Sequence, residues 1–382
     1  MKKNKKKVAV ITVGRSDWGI YYPIITEIKK RKNLELKIIA SGSHLSKHYG
    51  YTIKDIERNV FKISEKVQML LCSDDPISIS TSIGLGVIGF AKAYEKIKPD
   101  IILVLGDRFE MLSSVVGAVP LKIAIAHIHG GEETQGAFDN VIRHSITKMA
   151  HIHFTSTKEY AKRIEKMGEE KWRIFNVGAP ALENFKRIKF LKEKELEKNL
   201  NFPLNPKPLL VTFHPVTMEL ENTRYYIQQL LKALKKTNFP LIFTMPNPDT
   251  FNSIIRKEII NFSKGYKNCK VFENLGTQIY FNLMKYSLAM VGNSSSGIIE
   301  APSFKLPVVN IGTRQKGRVK ARNVIDVGYS ANEILKGIEK ATSKEFINTL
   351  ENLRNPYENG NSSKKIADIL EKIQLDQRLL LK

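Results

Sequence analysis

Short apolar runs that alternate with longer amphipathic stretches are the feature of this 382-residue sequence that most limits its fold. The runs are rich in Val, Ile and Ala and lack polar alternation, which predicts strands buried on both faces. The predicted strands are Lys7–Val13, Leu36–Ala40, Ile101–Leu105, Ile123–Ala126, Ile152–Phe154, Leu209–Phe213, Leu241–Thr244, Cys269–Phe272, Leu288–Val291 and Val308–Ile311. The predicted helices are Ile20–Lys32, Ile83–Lys98, Ala137–Ala150, Tyr225–Lys236, Thr277–Tyr286 and Ala331–Ala341. This alternation predicts an α/β fold with parallel sheets.

The chain exceeds the roughly 250–300 residues at which single hydrophobic cores stop growing, so we expect two domains. Residues 187–208 are first charged and then proline-rich, which predicts a helix followed by a linker. We therefore predict a Rossmann-like domain over 1–187 that carries acid–base residues, a linker over 188–207, and a second Rossmann-like domain over 208–382. The last helix is expected to pack back on the first domain. Ligands of such folds bind beyond the carboxyl ends of the strands, so we expect a central cleft faced by both sheets.

The hydrophobic share of 42% excludes a disordered chain, while the formal charge of +23 leaves three interpretations open. It could serve nucleic-acid binding, attract anionic small molecules, or reflect a lysine-rich surface. Because the lysines are scattered, we favour the surface and predict no nucleic-acid partner. Two distant cysteines, Cys72 and Cys269, fit a reducing cytoplasm. No stretch approaches the ~20 apolar residues of a spanning helix, so no membrane segment is predicted.

The loop after the first predicted strand, Gly14–Gly19, contains a glycine followed by an arginine at a helix start. Arg15 there suits a phosphate, whereas the alternative is a plain turn that Asp17 caps. The loop has no GxGxxG pattern, and the second strand runs into Ser41–His44 without an acidic residue. A dinucleotide cofactor is therefore not expected.

Acidic residues follow two neighbouring predicted strands. Asp107 and Glu132 come after these strands, and Asp139 precedes the pair Arg143-His144. Carboxylates with histidines at one sheet edge suit proton transfer at carbon, because their mutual repulsion spreads their pKa values. The alternative is a metal site formed by His127, His129 and Glu132, which we consider less fitting because no second ligand cluster exists.

In the second half, polar loops again follow predicted strands. His214 ends one strand, where it is either structural or directed into the cleft. The stretch Gly292–Gly297, with three serines, suits a diphosphate better than a plain helix cap, and Glu300 could reach ribose hydroxyls. Arg314 lies in a basic loop that could add charge against the phosphates.

Taken together, these loops resemble the hydrolysing UDP-N-acetylglucosamine 2-epimerase family over nearly the whole chain. The motifs that carry the resemblance, in the order and approximate spacing of the family, are GRSDWG, GSHL, GDRFE, HIHGGE, DNVIRHSITK, HPVT, GNSSSGIIE and GTRQKGR. The related non-hydrolysing epimerases usually have GTRPE at the first loop and a GD followed by threonines at the second loop. The residues here favour the hydrolysing branch.

The resemblance implies the two-domain GT-B fold and assigns site residues by position. The implied acid–base residues are Asp107, Glu132, Asp139 and His214. The implied substrate-binding residues are Arg15, Asp17, His44, Arg143, Ser294, Ser295, Gly297, Glu300, Arg314 and Asn323. Asn140 stands where the animal enzyme has a second aspartate, so only Asp139 is carried over. The family implies no metal and no cofactor.

The activity that the resemblance implies is conversion of UDP-N-acetylglucosamine and water to N-acetylmannosamine and UDP through a glycal. The same reaction on UDP-2,4-diacetamido-2,4,6-trideoxyglucose, for legionaminic acid, is equally compatible with the motifs. The sequence is also compatible with a non-hydrolysing epimerase, a GT-B glycosyltransferase or a nucleic-acid-binding protein. The family further implies a homo-oligomer, either a dimer or a tetramer, in the cytoplasm.

Overall fold

All strands of the protein run parallel within two separate sheets, as the buried apolar runs predicted. The computed structural model describes residues 5–59, 61–73, 75–135, 138–247 and 249–382, with the side chain of His48 excepted. These residues form two units. Unit 1 spans Met1–Glu132, Asp139–Asn184 and Tyr357–Lys382, and unit 2 spans Glu133–Phe138 and Phe185–Pro356.

Unit 1 is built on a seven-stranded sheet in the order β3-β2-β1-β4-β5-β6-β7. Its strands are β1 (Lys6–Thr12), β2 (Leu34–Ser41), β3 (Glu65–Val67), β4 (Ile101–Leu105), β5 (Ala124–Ile128), β6 (Ile152–Thr155) and β7 (Ile174–Asn176). Its helices are α1 (Arg15–Lys30), α2 (Ile53–Arg58), α3 (Pro76–Ile97), α4 (Phe109–Ala118), α5 (Asp139–Met149), α6 (Lys158–Lys166), α14 (Ser362–Lys372) and α15 (Gln377–Leu380). The strand order reverses between β1 and β4, which is where ligands of doubly wound sheets bind.

Unit 2 repeats this plan with a six-stranded sheet in the order β10-β9-β8-β11-β12-β13. Its strands are β8 (Leu209–Thr212), β9 (Leu241–Thr244), β10 (Cys269–Phe272), β11 (Ala289–Gly292), β12 (Val308–Ile311) and β13 (Val324–Val327). Its helices are α7 (Glu193–Leu200), α8 (Thr223–Thr237), α9 (Asn252–Gly265), α10 (Gly276–Tyr286), α11 (Ser296–Ile299), α12 (Ala331–Thr342) and α13 (Lys344–Thr349). Here the order reverses between β8 and β11.

Both faces of the unit 2 sheet are covered, which explains its continuous apolar strands. Leu209 and Val211 of β8 belong to one buried core, and Leu210 between them belongs to the other. Successive residues of a strand point to opposite faces, so a strand covered on both sides must be apolar throughout. The runs seen in the sequence follow from this burial.

The segment predicted as a linker, 188–207, is built into unit 2. Leu191, Leu196 and Leu200 are buried in its core, and the backbone N–H of Leu191 donates to Asn282 Oδ1 over 2.7 Å. The charge run describes only the outer face of α7, whose leucines pack inward. The predicted helix over Ala137–Ala150 begins at Asp139 in the structure, and Ala137 lies outside the described residues.

Helix α3 begins at Pro76, seven residues before the predicted start. The side chain of Asp75 accepts a hydrogen bond from the N–H of Ser78, and Pro76 is the first helical residue, both common at helix starts. Helix α3 has 22 residues, and an 18-residue window within it has a mean hydropathy of 1.3, so α3 is long and apolar enough to cross a membrane. The prediction that no stretch is long and apolar enough to span a membrane is therefore wrong. A third of this apolar window is buried, and α3 packs along α4 within unit 1.

The end of the chain belongs to unit 1, where α14 packs on α1. Arg31 pairs with Asp368 across these helices over 2.6 Å. Lys6 Nζ lies within hydrogen-bonding distance of three carbonyl oxygens at the end of α14, namely those of Leu370, Glu371 and Ile373. A cation there satisfies carbonyl groups that have no partner within the helix.

A buried carboxylate also holds the last residue. Glu169, whose side chain is 1% exposed, contacts His153, Lys148 and Lys382, with the two lysine nitrogens at 2.6 Å. Burial alone would raise the pKa of Glu169, but hydrogen bonds from these three partners outweigh it and hold the pKa at about 2. The carboxylate therefore stays ionised and ties the chain end to the sheet.

We expect Glu169→Gln to lower the free energy of unfolding by about 1–3 kcal/mol at pH 7, because Lys148 and Lys382 lose the counter-charge of a buried carboxylate. The folded pKa lies below the ordinary value of 4.5. The stabilisation is thus complete above pH 4.5 and disappears as the pH falls toward 2. Urea unfolding of the parent and the variant across this range measures it. The control Glu165→Gln, at an exposed pair with Lys171, should change little. An equal loss in both variants would contradict the account.

Candidate active site

The loops that carry the predicted residues of unit 1 follow β1, β2, β4 and β5, so they lie at the carboxyl edge of its sheet. Arg15 and Asp17 follow β1, His44 follows β2, Asp107 follows β4 and Glu132 follows β5. The loops after β1 and β4 flank the point where the strand order reverses. The structure thus brings these residues to the edge where doubly wound sheets bind ligands.

Asp17 shapes the first loop instead of facing outward. Its Oδ2 accepts hydrogen bonds from the N–H groups of Val13 and Gly14, at 3.0 and 3.2 Å. Burial raises the pKa of Asp17 to about 6, although the charge of Arg108 lowers it. These bonds are the capping role that the sequence left open for Asp17, and they fix the backbone that carries Arg15 at the first position of α1.

His44 is fully buried. Its Nε2 lies 2.8 Å from the Thr12 hydroxyl, and its Nδ1 lies 2.8 Å from the Thr52 hydroxyl. Burial lowers the pKa of His44 to about 4, so the ring is neutral at pH 7. Both ring nitrogens therefore contact other side chains of the protein, and these contacts fix the loop after β2.

The acidic residues of unit 1 are linked by a buried arginine. Arg143 of α5 pairs through Nη2 with Asp107, and its Nη1 lies 3.6 Å from Glu132 Oε2. Nη1 also donates to the carbonyl oxygen of His129 over 3.1 Å. The two carboxylates therefore share a cation, which offsets the mutual repulsion predicted from the sequence. The side chain of Asp107 remains 23% exposed, whereas that of Glu132 is 1% exposed.

Two further side chains fix Glu132. The hydroxyl of Ser156 donates to Glu132 Oε1 over 2.6 Å, and His129 Nδ1 lies 2.6 Å from the same oxygen. His129 has a φ of +63°, a left-handed conformation that is costly for a residue other than glycine. The fold holds this conformation, which turns the histidine toward the carboxylate. Ser156 was missed in the sequence, where no local pattern connects it with Glu132.

In the structure, His127 and His129 contact different partners and do not converge on one point as a metal site would require. His127 Nε2 lies 2.7 Å from the carbonyl oxygen of Gly106, while His129 contacts Glu132. Burial lowers the pKa of His127 to about 3. Within the described residues no group of three His, Cys, Asp or Glu side chains is arranged to hold a metal ion.

Arg108 and Glu110 form a second charged pair at the same edge that sequence reasoning did not single out. The guanidinium contacts both oxygens of Glu110 at 3.1 Å, and Glu110 is completely buried. The GDRFE motif could have predicted this pair, because an Arg and a Glu two residues apart follow the predicted strand. Asp139, the first residue of α5, is half-buried and lies one turn before Arg143.

In unit 2, His214 follows β8 and is held by Asn293, which follows β11. The N–H of His214 donates to Asn293 Oδ1 over 2.7 Å, and Asn293 Nδ2 donates to the carbonyl oxygen of His214 over 2.9 Å. The carbonyl oxygen of Asn293 accepts bonds from Arg314 Nη1 and Gln315 Nε2, at 3.3 and 2.8 Å. The side chain and the backbone carbonyl of buried Asn293 thus join the loops that follow β8, β11 and β12.

The serine loop lies beside His214 but opens a shorter helix than expected. Helix α11 has one turn, and Glu300 follows it directly. Ser294 and Ser295 are half-buried ahead of α11, and Ser294 Oγ accepts a bond from the N–H of Ser296 over 3.3 Å. A Cβ atom on Gly297 would lie 2.8 Å from a methyl carbon of Val308. The structure therefore gives Gly297 a packing role against β12.

Asn323 is not brought together with the other predicted residues. It precedes β13, and its carbonyl oxygen accepts a bond from the N–H of Val308, the first residue of β12. Its Nδ2 donates to the carbonyl oxygen of Leu306, and the side chain is completely buried. Asn323 therefore lies at the amino edge of the sheet, opposite the polar loops.

Comparison with known proteins connects this arrangement to one family. A family model described as UDP-N-acetylglucosamine 2-epimerase matches residues 26–371. The chain is 44% identical over 345 residues to the GDP/UDP-N,N'-diacetylbacillosamine 2-epimerase (hydrolyzing) of Campylobacter jejuni, covering 90% of this chain and 89% of that protein. It is 33% identical to the UDP-N,N'-diacetylbacillosamine 2-epimerase (hydrolyzing) of Legionella pneumophila, covering 99% and 98%.

Solved structures show the same fold. The UDP-GlcNAc 2-epimerase of Neisseria meningitidis bound to UDP-GlcNAc has a TM-score of 0.83 and 21% identity, covering 96% of this chain and all of that one. The Methanocaldococcus jannaschii enzyme in complex with UDP-GlcNAc and UDP has a TM-score of 0.80 and 22% identity, covering 95% and 99%. The predicted fold class, two Rossmann-like domains of the GT-B type, is confirmed.

We expect Arg143→Met to lower the free energy of unfolding by about 3–5 kcal/mol, because Asp107 and Glu132 lose their shared buried cation. Chemical denaturation at pH 7 measures the change. Arg58→Met is the matched control, since Arg58 pairs with Asp55 on the surface with 77% of its side chain exposed. Unchanged stability of Arg143→Met would show that the acidic residues do not depend on this cation.

Proposed function

Because this chain belongs to the hydrolysing UDP-N-acetylglucosamine 2-epimerase family, we propose that it converts a UDP-linked 2,4-diacetamido sugar and water to UDP and the free 2-epimer. The general activity of this chain follows from its membership of the family. The chain is an enzyme, a hydrolysing 2-epimerase that acts on a nucleotide-linked acetamido sugar. The identity of the sugar and the roles of individual residues are what we propose.

The observation that carries the proposal is the cluster of Asp107, Arg143 and Glu132 at the carboxyl edge of the unit 1 sheet. Inversion at C2 requires one group to remove a proton and another to deliver one to the opposite face of the sugar. We assign proton removal to Asp107, because its carboxylate is the more exposed of the two. Glu132, supported by His129 and Ser156, and the half-buried Asp139 are the candidates for returning the proton.

The reaction balances in two steps. A carboxylate takes the C2 proton while the C1–O bond to the diphosphate breaks, so UDP leaves and a C1–C2 double bond forms. Water then adds its hydroxyl to C1, while an acid group protonates C2 on the opposite face and takes up the remaining proton of the water. The first carboxylate releases the proton that it took from C2 to solvent. The products are UDP and the free sugar with inverted C2.

The leaving diphosphate needs fixed positive charge and N–H donors. We propose that Arg314, Ser294 and Ser295 bind the diphosphate, that Glu300 binds the ribose, and that Arg15 adds a second guanidinium. His214 is proposed to donate a proton to the departing phosphate or to orient it. Supporting this, Arg314 and the serine loop are both adjacent to Asn293, which holds them beside His214.

The substrate proposal is supported by relatives above 30% identity, two of which carry diacetylbacillosamine in their names. That sugar is the 2,4-diacetamido-2,4,6-trideoxyglucose with which the sequence motifs are equally compatible. UDP-N-acetylglucosamine is the second candidate, since a 31% identical protein of Neisseria meningitidis is named for it.

Proton NMR in deuterated water with each UDP-sugar tests this function. We expect UDP release from the diacetamido sugar at the higher kcat/KM, and a free 2-epimer with deuterium at C2. An epimer still attached to UDP would indicate the non-hydrolysing reaction. The absence of UDP release without an added acceptor would indicate a glycosyltransferase or a protein without this chemistry. Either result would contradict the proposal.

Asp107→Asn and Glu132→Gln should each lower kcat about 10²–10⁴-fold, the usual contribution of a general acid–base group. UDP affinity, measured by calorimetry, should be retained because neither residue is assigned to the diphosphate. Glu159→Gln is the control, since Glu159 is exposed on α6 and should leave kcat unchanged. Full activity of both site variants would remove Asp107 and Glu132 from the mechanism.

We also propose that the enzyme is a homo-oligomer in the cytoplasm. Both cysteines are free thiols, which suits a reducing compartment. One face of α3 carries Ile77, Leu85 and Ile88 with 76%, 43% and 57% of each residue exposed. Apolar side chains this exposed along one helix face support a protein interface.

Ile88→Lys should reduce the oligomer to a smaller species in sedimentation analysis, because a charge would be buried at the proposed interface. The control Ile260→Lys replaces an isoleucine of α9 that is 43% exposed and should leave the mass unchanged. A parent protein that sediments as a monomer would contradict this part of the proposal.

A further inference from the structure

One carboxylate oxygen of Asp249 lies between His214, the proposed proton donor, and Arg314, a proposed diphosphate ligand. Asp249 Oδ2 is 3.8 Å from His214 Nδ1 and 3.9 Å from Arg314 Nη2. The side chains of Asp249 and Arg314 are each 13% exposed, and that of His214 is 7% exposed. Charges this well buried interact more strongly than surface pairs, because water screens them less.

The backbone around Asp249 is fixed independently of these contacts. Asp249 lies between β9 and α9, and its carbonyl oxygen accepts bonds from the N–H and the side-chain amide of Asn252, at 3.1 and 2.9 Å. Its N–H donates to the carbonyl oxygen of Asn247 over 2.8 Å. The backbone that carries the carboxylate is therefore held by hydrogen bonds of Asp249 to Asn247 and Asn252.

The same turn contacts the histidine ring a second time. The N–H of Asn247 lies within hydrogen-bonding distance of His214 Nδ1, at 3.4 Å. Nδ1 thus faces an N–H donor, which suits the neutral ring, and a carboxylate, which suits a ring that carries a proton on Nδ1. The histidine can keep one orientation in both protonation states.

We propose that Asp249 is a positioning residue for the hydrolytic reaction, and this inference rests on the proposed function. Its carboxylate orients the His214 ring and holds the Arg314 guanidinium beside it. The two residues then meet the leaving diphosphate in a fixed arrangement. Asp249 itself carries the wrong charge to bind a diphosphate, and its contacts are to the protein.

The negative charge of Asp249 makes a positioning role distinguishable from a purely structural role by measuring UDP affinity and turnover. Removing a negative charge next to Arg314 favours an incoming anion, so UDP should bind Asp249→Asn as tightly as the parent or more tightly. Turnover should fall, because the ring and the guanidinium lose the group that orients them. A residue that only builds the loop would lower UDP affinity and turnover together.

The test measures kcat for the UDP-sugar and the dissociation constant of UDP in the full-length parent and in Asp249→Asn. We expect kcat to fall about 10- to 100-fold, less than the 10²–10⁴-fold loss of a general acid–base group itself, with the UDP dissociation constant unchanged or lower. Asp249→Glu, which restores the carboxylate, should recover part of the lost kcat. Glu258→Gln is the control, since Glu258 of α9 lies 4.0 Å from Arg224 and outside this cluster.

Unchanged kcat in Asp249→Asn, or a parallel loss of kcat and UDP affinity, would overturn the inference. Failure of the proposed function looks different, because the parent enzyme would then release no UDP from either sugar. An active parent with an equally active Asp249→Asn variant refutes only the role of Asp249. Thermal unfolding of each variant confirms that the compared proteins are folded.

Discussion

The parallel direction of every strand in both sheets is the constraint on which the candidate site depends. When all strands run the same way, all loops that follow them emerge at one edge, so residues distant in sequence become neighbours. Asp107 and Glu132 follow adjacent strands, β4 and β5, and meet at Arg143 for this reason. In unit 2 the same constraint brings the loops after β8 and β11 together around Asn293.

In each unit, one buried residue is the hydrogen-bonding or ionic partner of several polar groups. In unit 1 the guanidinium of Arg143 lies between two carboxylates. In unit 2 the side-chain amide of Asn293 bonds to the backbone of His214, and the backbone carbonyl oxygen of Asn293 accepts a bond from Arg314. Buried polar groups are costly when they are left unpaired, so such hubs allow charged residues to stay fixed before a ligand arrives. Preorganised charge of this kind is what a reaction with a departing diphosphate requires.

The sequence predicted the fold where burial controls composition and failed where it does not. The ten predicted strands all exist. Nine of them lie in the interior of a sheet, where strands covered on both faces are apolar, and the tenth, β10, lies at an edge. The strands that the sequence did not reveal are β3, β7 and β13. They are three or four residues long and lie at sheet edges, where a strand pairs with only one neighbouring strand. Loop positions followed from strand positions, so the edge location of Asp107, Glu132 and His214 was predictable. The contact of Asp249 with His214 was not, since it depends on how two loops pack, and Asn323 was placed by motif order although it lies at the opposite edge.

We propose that the cluster of Asp107, Arg143 and Glu132 in unit 1 carries out proton transfer at C2 of the sugar. A crystal structure of the Glu132→Gln variant with the UDP-linked diacetamido sugar tests this most directly. We predict the sugar C2 roughly 3–3.5 Å from the carboxylate of Asp107, the separation of a reactive complex. A bound nucleotide-sugar whose C2 lies out of reach of Asp107 would contradict the account.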